Sequence, residues 1–87
     1  MNQSWDLYRS FLAVLQTSSL SGAARLLGLT QPTLARHIGE LEEALGFELF
    51  VRSPRGLSPT DSAVVLRPHA EGSYAARYPS RLYPAAA

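Results

Sequence analysis

The chain has neither cysteine nor lysine, and the two absences differ in what they exclude. Without cysteine, disulfide bonds and thiolate zinc sites are ruled out, which fits a reducing cytosol. All eight basic residues are arginine, whose planar fork suits bidentate contacts to phosphate and guanine. Because a compositional bias of the genome explains the missing lysine at least as well, we draw no functional conclusion from it.

Long apolar runs are also missing. No segment approaches membrane-spanning length, and the amino terminus lacks the basic and then apolar pattern of a signal peptide. We therefore expect a soluble protein inside the cell. A formal net charge of +1 argues against indiscriminate coating of nucleic acid. At 87 residues the chain is one small domain, of a size that gains from a second subunit or a ligand.

Signs of catalysis are absent as well. His37 and His69 are the only histidines, and without thiols they make a poor case for a metal site. No nucleophile and base stand at motif spacing, and there is no glycine-rich phosphate loop. The run ELEE, residues 40–43, indicates a solvated face rather than a catalytic carboxylate pair. We expect no enzyme activity, no cofactor and no metal.

Apolar spacing predicts three helices in the first half of the chain. The first covers residues 5–17 with Ser4 as its cap, and the second runs from a cap at Ser21 to Leu27 and stops at Gly28. The third has Thr30 as its cap and ends at Gly46. Its first turn contains Pro32, and its buried stripe consists of Leu34, Ile38, Leu41 and Leu45.

A hairpin and a fourth helix are predicted to follow. FELFVR, residues 47–52, is aromatic and β-branched, SPRG is a turn, and LSP resumes an extended chain. Thr60 is the expected cap of a helix over residues 61–77, which Pro68 should bend or interrupt. From Gly72 onward we expect fraying, and we expect residues 78–87 to be a disordered tail.

The second and third helices, joined by a short turn, have the arrangement that can lay a helix into the major groove of DNA. Small side chains at Ala23 and Ala24 would allow a close crossing of the two helices. Opposite the apolar stripe of the third helix lie Pro32, Arg36, Gly39 and Glu43, flanked by Thr33, Ala35 and Glu40, with Gln31 and His37 on the edges. Gln can pair with adenine, Arg with guanine or phosphate, and Thr33 with a thymine methyl or a phosphate. The alternative is that these are ordinary solvated helix residues.

Two arginines bracket the predicted hairpin turn. Arg52 and Arg55 could insert a guanidinium into a narrow minor groove or clamp a phosphate. Exposed turn arginines often do nothing specific, so this interpretation stays open. Pro54 and Gly56 are turn residues in either case.

The quoted residues carry a family resemblance. GAARLLGLTQPTLARHI, LEEALGFELFVR and RGLSPT closely resemble the amino-terminal domain of bacterial LysR-type transcriptional regulators, over about Leu7 to about Glu71. The resemblance implies a mostly α winged helix-turn-helix: a three-helix core, a two-stranded β wing and a carboxy-terminal linker helix. LRPHA also resembles the start of that linker helix.

The resemblance implies sequence-specific binding to promoter or operator DNA by a homodimer in the bacterial cytoplasm, associated with the nucleoid. The matching positions imply that Gln31, Pro32, Thr33 and Arg36 lie in the major groove and that Ser21 and Thr30 touch the DNA backbone. Arg52 and Arg55 would approach the minor groove, and His37 completes the candidate set. Residues 1–60 would form the DNA-binding domain, and the helix from Thr60, residues 61–77, would pair with its counterpart.

Some features depart from the family pattern. Family members commonly have Ser where Ala35 stands and a basic residue where Gly39 stands, so we expect fewer DNA contacts and a shallower salt dependence. The family's effector-binding domain is absent, so we expect this chain not to sense a small molecule. The chain could be a fragment, a truncated gene product or a domain followed by foreign sequence. The alternative function is a winged-helix module for protein interaction or dimerisation without strong DNA binding.

Overall fold

The computed structural model describes the backbone of residues 3–77 and the side-chain surroundings of residues 6–72. The elements in chain order are α1 Gln3–Thr17, α2 Leu20–Leu27, α3 Gln31–Leu45, β1 Phe50–Ser53, β2 Gly56–Pro59 and α4 Asp61–Arg77. The two strands pair antiparallel, with Phe50 opposite Pro59 and Ser53 opposite Gly56. This mostly helical fold with one hairpin confirms the predicted fold class.

The core is built around α1, whose middle is inaccessible to solvent at Phe11, Leu12, Ala13 and Val14. The stripe of α3 packs into the same core, with Leu34, Ile38 and Leu41 buried and Leu45 partly buried. The ring of Phe11 lies 5.7 Å from the ring of Phe50, measured between centroids, so the hairpin is attached to the helical core at the start of β1.

Two predicted helix caps are wrong. α1 begins at Gln3, so Ser4 lies within the helix rather than before it. The cap of α2 is Ser19, whose side chain accepts a hydrogen bond from the amide of Gly22, and Ser21 lies inside the helix. Ser18 has a φ of 59° and Ser19 is extended, so the chain breaks after α1 and brings the Ser19 hydroxyl to the new amino terminus.

The predicted ends of α3 are confirmed. The Thr30 hydroxyl accepts from the amide of Thr33, and Pro32 occupies the first turn, where its missing amide proton leaves no helical bond unmade. Gly28 ends α2 and Gly46 ends α3, each in the left-handed conformation, with φ values of 70° and 85°.

The first strand is shorter than FELFVR suggests, because the peptide groups before Phe50 are bonded elsewhere. The amide of Leu49 donates to Glu42 Oε2 at 2.8 Å, and the carbonyl of Glu48 accepts from the Thr60 hydroxyl at 2.7 Å. These two bonds fasten the segment between the end of α3 and the start of α4. The prediction that residues 47–49 belong to the strand is therefore wrong.

The fourth helix, Asp61–Arg77, covers the predicted residues 61–77. Thr60 caps it by accepting from the amide of Ala63, and the helix passes through Pro68 to Arg77. Pro68 is exposed, as is Val64 one turn earlier, so the carbonyl left without its helical partner lies on the solvent side. Of the two effects expected of Pro68, a bend or an interruption, the interruption is wrong, and the fraying expected from Gly72 onward is wrong as far as Arg77, because the helix is continuous there. The tail prediction for residues 78–87 lies outside the described residues.

Candidate nucleic-acid interface

The connection between α2 and α3 holds the two helices in a fixed relation. Ala23 and Ala24, the small residues expected to allow a close crossing of the two helices, are buried, and α2 packs against both α1 and α3. The amide of Leu29 donates to the carbonyl of Ala24 at 2.9 Å, which closes the turn after Gly28. As a result, α3 packs its apolar stripe inward and presents its opposite side to solvent.

The outward side of α3 carries most of the predicted contact residues. Gln31, Pro32 and Arg36 are exposed, and the Arg36 side chain retains 66% of its accessible surface. Thr30 is also exposed, and its hydroxyl is within 2.9 Å of the Thr33 hydroxyl. The chain's own residues therefore leave the first two turns of α3 open to a partner.

Three predicted contact residues from three different elements line one open depression. Ser21 from α2, Gln31 from α3 and Arg52 from β1 meet there, with Gly56 at its edge. Ser21 is exposed although it does not cap α2. A second, more apolar groove shares Arg52 and continues between α3 and the hairpin; its lining includes Ala35, Ile38, Gly39, Glu42 and Phe50. Ala35 has a small side chain and Gly39 has none, and together with Ile38 and Glu42 they form the α3 side of that groove.

The hairpin is anchored beside α3 by a contact that the sequence did not reveal. The amide of Leu57 donates to the carbonyl of Ser18 at 3.0 Å, in the turn between α1 and α2. Gly56 has a φ of 121°, and a Cβ built on it would lie 2.5 Å from the Ser18 oxygen. This approach fixes where the exposed Arg52 and Arg55 are held. Gly56, which the sequence indicates only as a turn residue, was the one sequence signal for this close approach.

His37 has a structural partner in α1. Its Nδ1 lies 2.7 Å from the Oγ of Ser10, a fully buried side chain, and His37 itself is half-buried. The bond connects α1 to the second turn of α3, next to the exposed Arg36. The bond uses Nδ1 of the imidazole ring and does not involve the other ring nitrogen, Nε2. Because the two residues are 27 positions apart, no local sequence pattern indicates this pairing.

The three glutamates of α3 have separate environments. Glu40 forms an ion pair with Arg36, with its Oε2 3.6 Å from Nε. Glu42 accepts a hydrogen bond from the amide of Leu49, and Glu43 is exposed. Within residues 6–72, no group of His, Asp and Glu side chains is arranged to hold a metal ion.

These features define a class of protein. A short helix, a tight turn and a helix with an open polar face, beside a β-hairpin bearing exposed arginines, form a winged helix-turn-helix DNA-binding domain. Among residues 3–77, no helix has the length and apolar character needed to cross a membrane.

Comparison with known proteins gives the family. The family described as "Bacterial regulatory helix-turn-helix protein, lysR family" matches residues 5–64. A relative, the putative HTH-type transcriptional regulator protein PtxE of Stutzerimonas stutzeri, is 44% identical over 70 residues, which cover 80% of this chain and 35% of that protein. The HTH-type transcriptional regulator BbuR of Bordetella bronchiseptica is 51% identical over 61 residues, covering 70% of this chain and 19% of that protein.

Solved structures agree. The DNA-binding domain of CbnR in complex with DNA is similar with a TM-score of 0.81 and 28% identity, covering 92% of this chain and 90% of that one. The BenM DNA-binding domain in its complex with the catB site 1 DNA gives a TM-score of 0.81 and 30% identity, covering 92% and 88%. The chain belongs to the LysR family of transcriptional regulators. It corresponds to the helix-turn-helix DNA-binding domain of that family.

The family assignment confirms two further predictions. Resemblance to LysR-type regulators is confirmed, and the chain belongs to a family of regulators rather than of enzymes. The chain spans about a third of the length of PtxE and about a fifth of the length of BbuR, 35% and 19% respectively.

Proposed function

We propose that this domain recognises promoter or operator DNA by sequence, with the first two turns of α3 in the major groove. The observation that carries the proposal is the convergence of Ser21, Gln31 and Arg52 on one open depression, with Arg36 exposed on the same helix as Gln31. Gln31 offers an amide suited to adenine, and Arg36 offers a fork suited to guanine or phosphate.

The other candidate residues take supporting roles. Ser21 and Thr30 donate hydroxyl hydrogen bonds to phosphates on either side of the groove, and Thr33 lies beside Thr30 to contact a thymine methyl or a phosphate. Pro32 fills space against the bases. His37 contributes through Nε2, since Nδ1 is bonded to Ser10.

The hairpin serves as the wing of this interface. Arg52 and Arg55 approach the minor groove or the adjacent phosphates, and the Ser18 to Leu57 bond supports this role by holding the wing against the helices. Arg52 lines both depressions, which favours a contact with the DNA backbone for it, and Arg55 is exposed in the turn of the wing.

For the whole protein we propose a homodimer acting in the cytoplasm, associated with the nucleoid. Residues 1–60 form the DNA-binding unit, and α4 pairs with its counterpart. Val64 and Val65 support this pairing, because they are 60% and 79% exposed on a helix in which Ala63, Leu66 and Ala70 are buried. Regulation of transcription at specific promoters follows from such a dimer.

Selection from random duplex DNA, followed by binding titrations at several salt concentrations, tests the proposal. We expect the selected duplex to bind more tightly than a scrambled one, and the double variant R36A/R55A to lose affinity for both. Equal affinity for selected and scrambled duplexes contradicts sequence recognition. Unchanged DNA binding by the double variant would instead favour a protein-interaction module.

A further inference from the structure

Arg36 carries the only formal positive charge on α3, and it is paired within its own helix. Its Nε lies 3.6 Å from Glu40 Oε2, and the two side chains retain 66% and 46% of their accessible surfaces. The helix contains one arginine and three glutamates. The one cation that could attract DNA on this helix is therefore partly neutralised by a residue one turn further along.

Helix stabilisation accounts poorly for this pair. An exposed pair of this spacing contributes little to stability. The more favourable order on a helix places the acidic residue towards the amino terminus, whereas here the arginine comes first. An uncharged residue in place of Glu40 would serve the helix about as well, so the carboxylate calls for another explanation.

We propose that Glu40 is a positioning residue that sets the sequence specificity of Arg36. The inference rests on the proposed contact between Arg36 and DNA. A carboxylate on the Nε side leaves the two terminal nitrogens of the guanidinium free, and these form the fork that matches O6 and N7 of guanine. Glu40 thus holds the fork in the orientation that a base edge requires.

The same carboxylate opposes binding to the wrong sequence. Glu40 lies about 6 Å along the helix axis from Arg36, on the sector of α3 that meets DNA in the proposed function. When no guanine is in place and Arg36 turns to a phosphate, it leaves Glu40 unpaired near the negatively charged backbone. Glu40 therefore weakens non-specific binding more than specific binding.

Glu43 provides a matched control, because it is an exposed glutamate on the same helix about 10 Å along the axis from Arg36. E40Q and E43Q make the same change in net charge and keep the side-chain size. The dissociation constants of both variants are measured with the selected duplex and with a scrambled duplex at one salt concentration. Circular dichroism checks that each variant is folded.

We expect E40Q to bind the scrambled duplex more tightly and to lower the ratio of specific to non-specific affinity about two- to fivefold, the range expected from an exposed ion pair. E43Q should leave that ratio within error of the wild type. In the R36A background, E40Q should no longer change the ratio, because the partner of Glu40 is gone.

Each outcome decides a separate point. Equal ratios for E40Q and E43Q, with R36A still weakening binding, overturn the positioning role and leave the proposed function intact. A change of ratio by E40Q that persists in R36A also overturns it, because Glu40 would then act on the duplex directly. Wild-type affinity and ratio in R36A overturn the contact of Arg36 with DNA, and the role of Glu40 with it.

Discussion

At the scale of single residues, position in the fold separates side chains that the sequence presents as equivalent. The run ELEE predicts one solvated face, and Glu43 is exposed as expected. Glu42, by contrast, accepts the amide of Leu49, and Glu40 pairs with Arg36. The bond of Glu42 depends on where the chain goes after Gly46, which spacing along one helix does not reveal.

Gly39 is the residue at which we expect the largest gain in DNA binding. It is exposed, and a Cβ there would have no neighbour within 4 Å, so a longer side chain fits without strain. Gly39→Lys should tighten DNA binding and steepen the salt dependence of log K by about 0.9, the value for one added phosphate contact. Binding titrations across a salt series measure both.

Gly39→Ala is the control for that substitution. It should raise the free energy of unfolding by about 0.5–1 kcal/mol through helix propensity, and leave the salt dependence unchanged. If the Ala and Lys variants show the same dependence of log K on salt concentration, the side chain at position 39 does not contact a phosphate.

Gly56 is the residue on which the placement of the wing depends. Gly56→Ala adds a methyl group 2.5 Å from the Ser18 oxygen at a φ of 121°, so the turn must move. We expect a loss of about 1–3 kcal/mol in the free energy of unfolding, and weaker DNA binding as Arg52 and Arg55 are displaced. Urea denaturation and binding titrations measure the two effects.

Gly72→Ala adds the same methyl group to open space within α4. It should preserve or raise stability and leave DNA binding unchanged. Equal stability of the two alanine variants would show that the wing adapts to a side chain at position 56.

At the scale of helices and strands, local signals located most elements and failed where several candidates were adjacent. Three helix ends lie where the sequence predicts them, at Thr30, Gly46 and Thr60. At each end only one residue of a capping type stands beside the apolar pattern of the helix. The run SSLS offers three serines, and the positive φ at Ser18, which local spacing does not indicate, precedes the actual cap of α2 at Ser19.

The hydrogen bond between Ser10 and His37 joins α1 to α3, and it was not predicted from the sequence. His37→Leu leaves the buried Ser10 hydroxyl without this partner, so we expect a loss of about 1–3 kcal/mol in the free energy of unfolding. Ser10→Ala should cost less, because the half-buried His37 can turn its nitrogen to water. Urea denaturation of both variants tests the order; a larger loss for Ser10→Ala would contradict it.

At the scale of the whole molecule, the sequence predicted the fold class and the exposed side of α3, while contacts between distant segments were not predicted. The wing anchor joins Leu57 to the distant Ser18, and the bonds of Leu49 to Glu42 and of Glu48 to Thr60 connect different elements over 7 and 12 positions. The convergence of Ser21, Gln31 and Arg52 is likewise a tertiary property, although each residue was named from its local motif.

Dimerisation through α4 is the prediction that belongs to this scale. Val65→Asp places a charge on the 79% exposed position and should shift sedimentation from dimer to monomer at micromolar concentration. Val51→Asp, at a 44% exposed position on the wing, is the control and should remain dimeric. A wild-type chain that sediments only as monomer would contradict the predicted dimer.

The central claim is that DNA meets the amino-terminal turns of α3 and the wing. Amide chemical-shift mapping by NMR, during titration with the selected duplex, measures this contact residue by residue. We predict the largest shifts at residues 30–37 and 52–57, with small shifts at residues 43–46. The opposite pattern, with residues 30–37 unchanged and the strongest shifts on α4, would contradict the account.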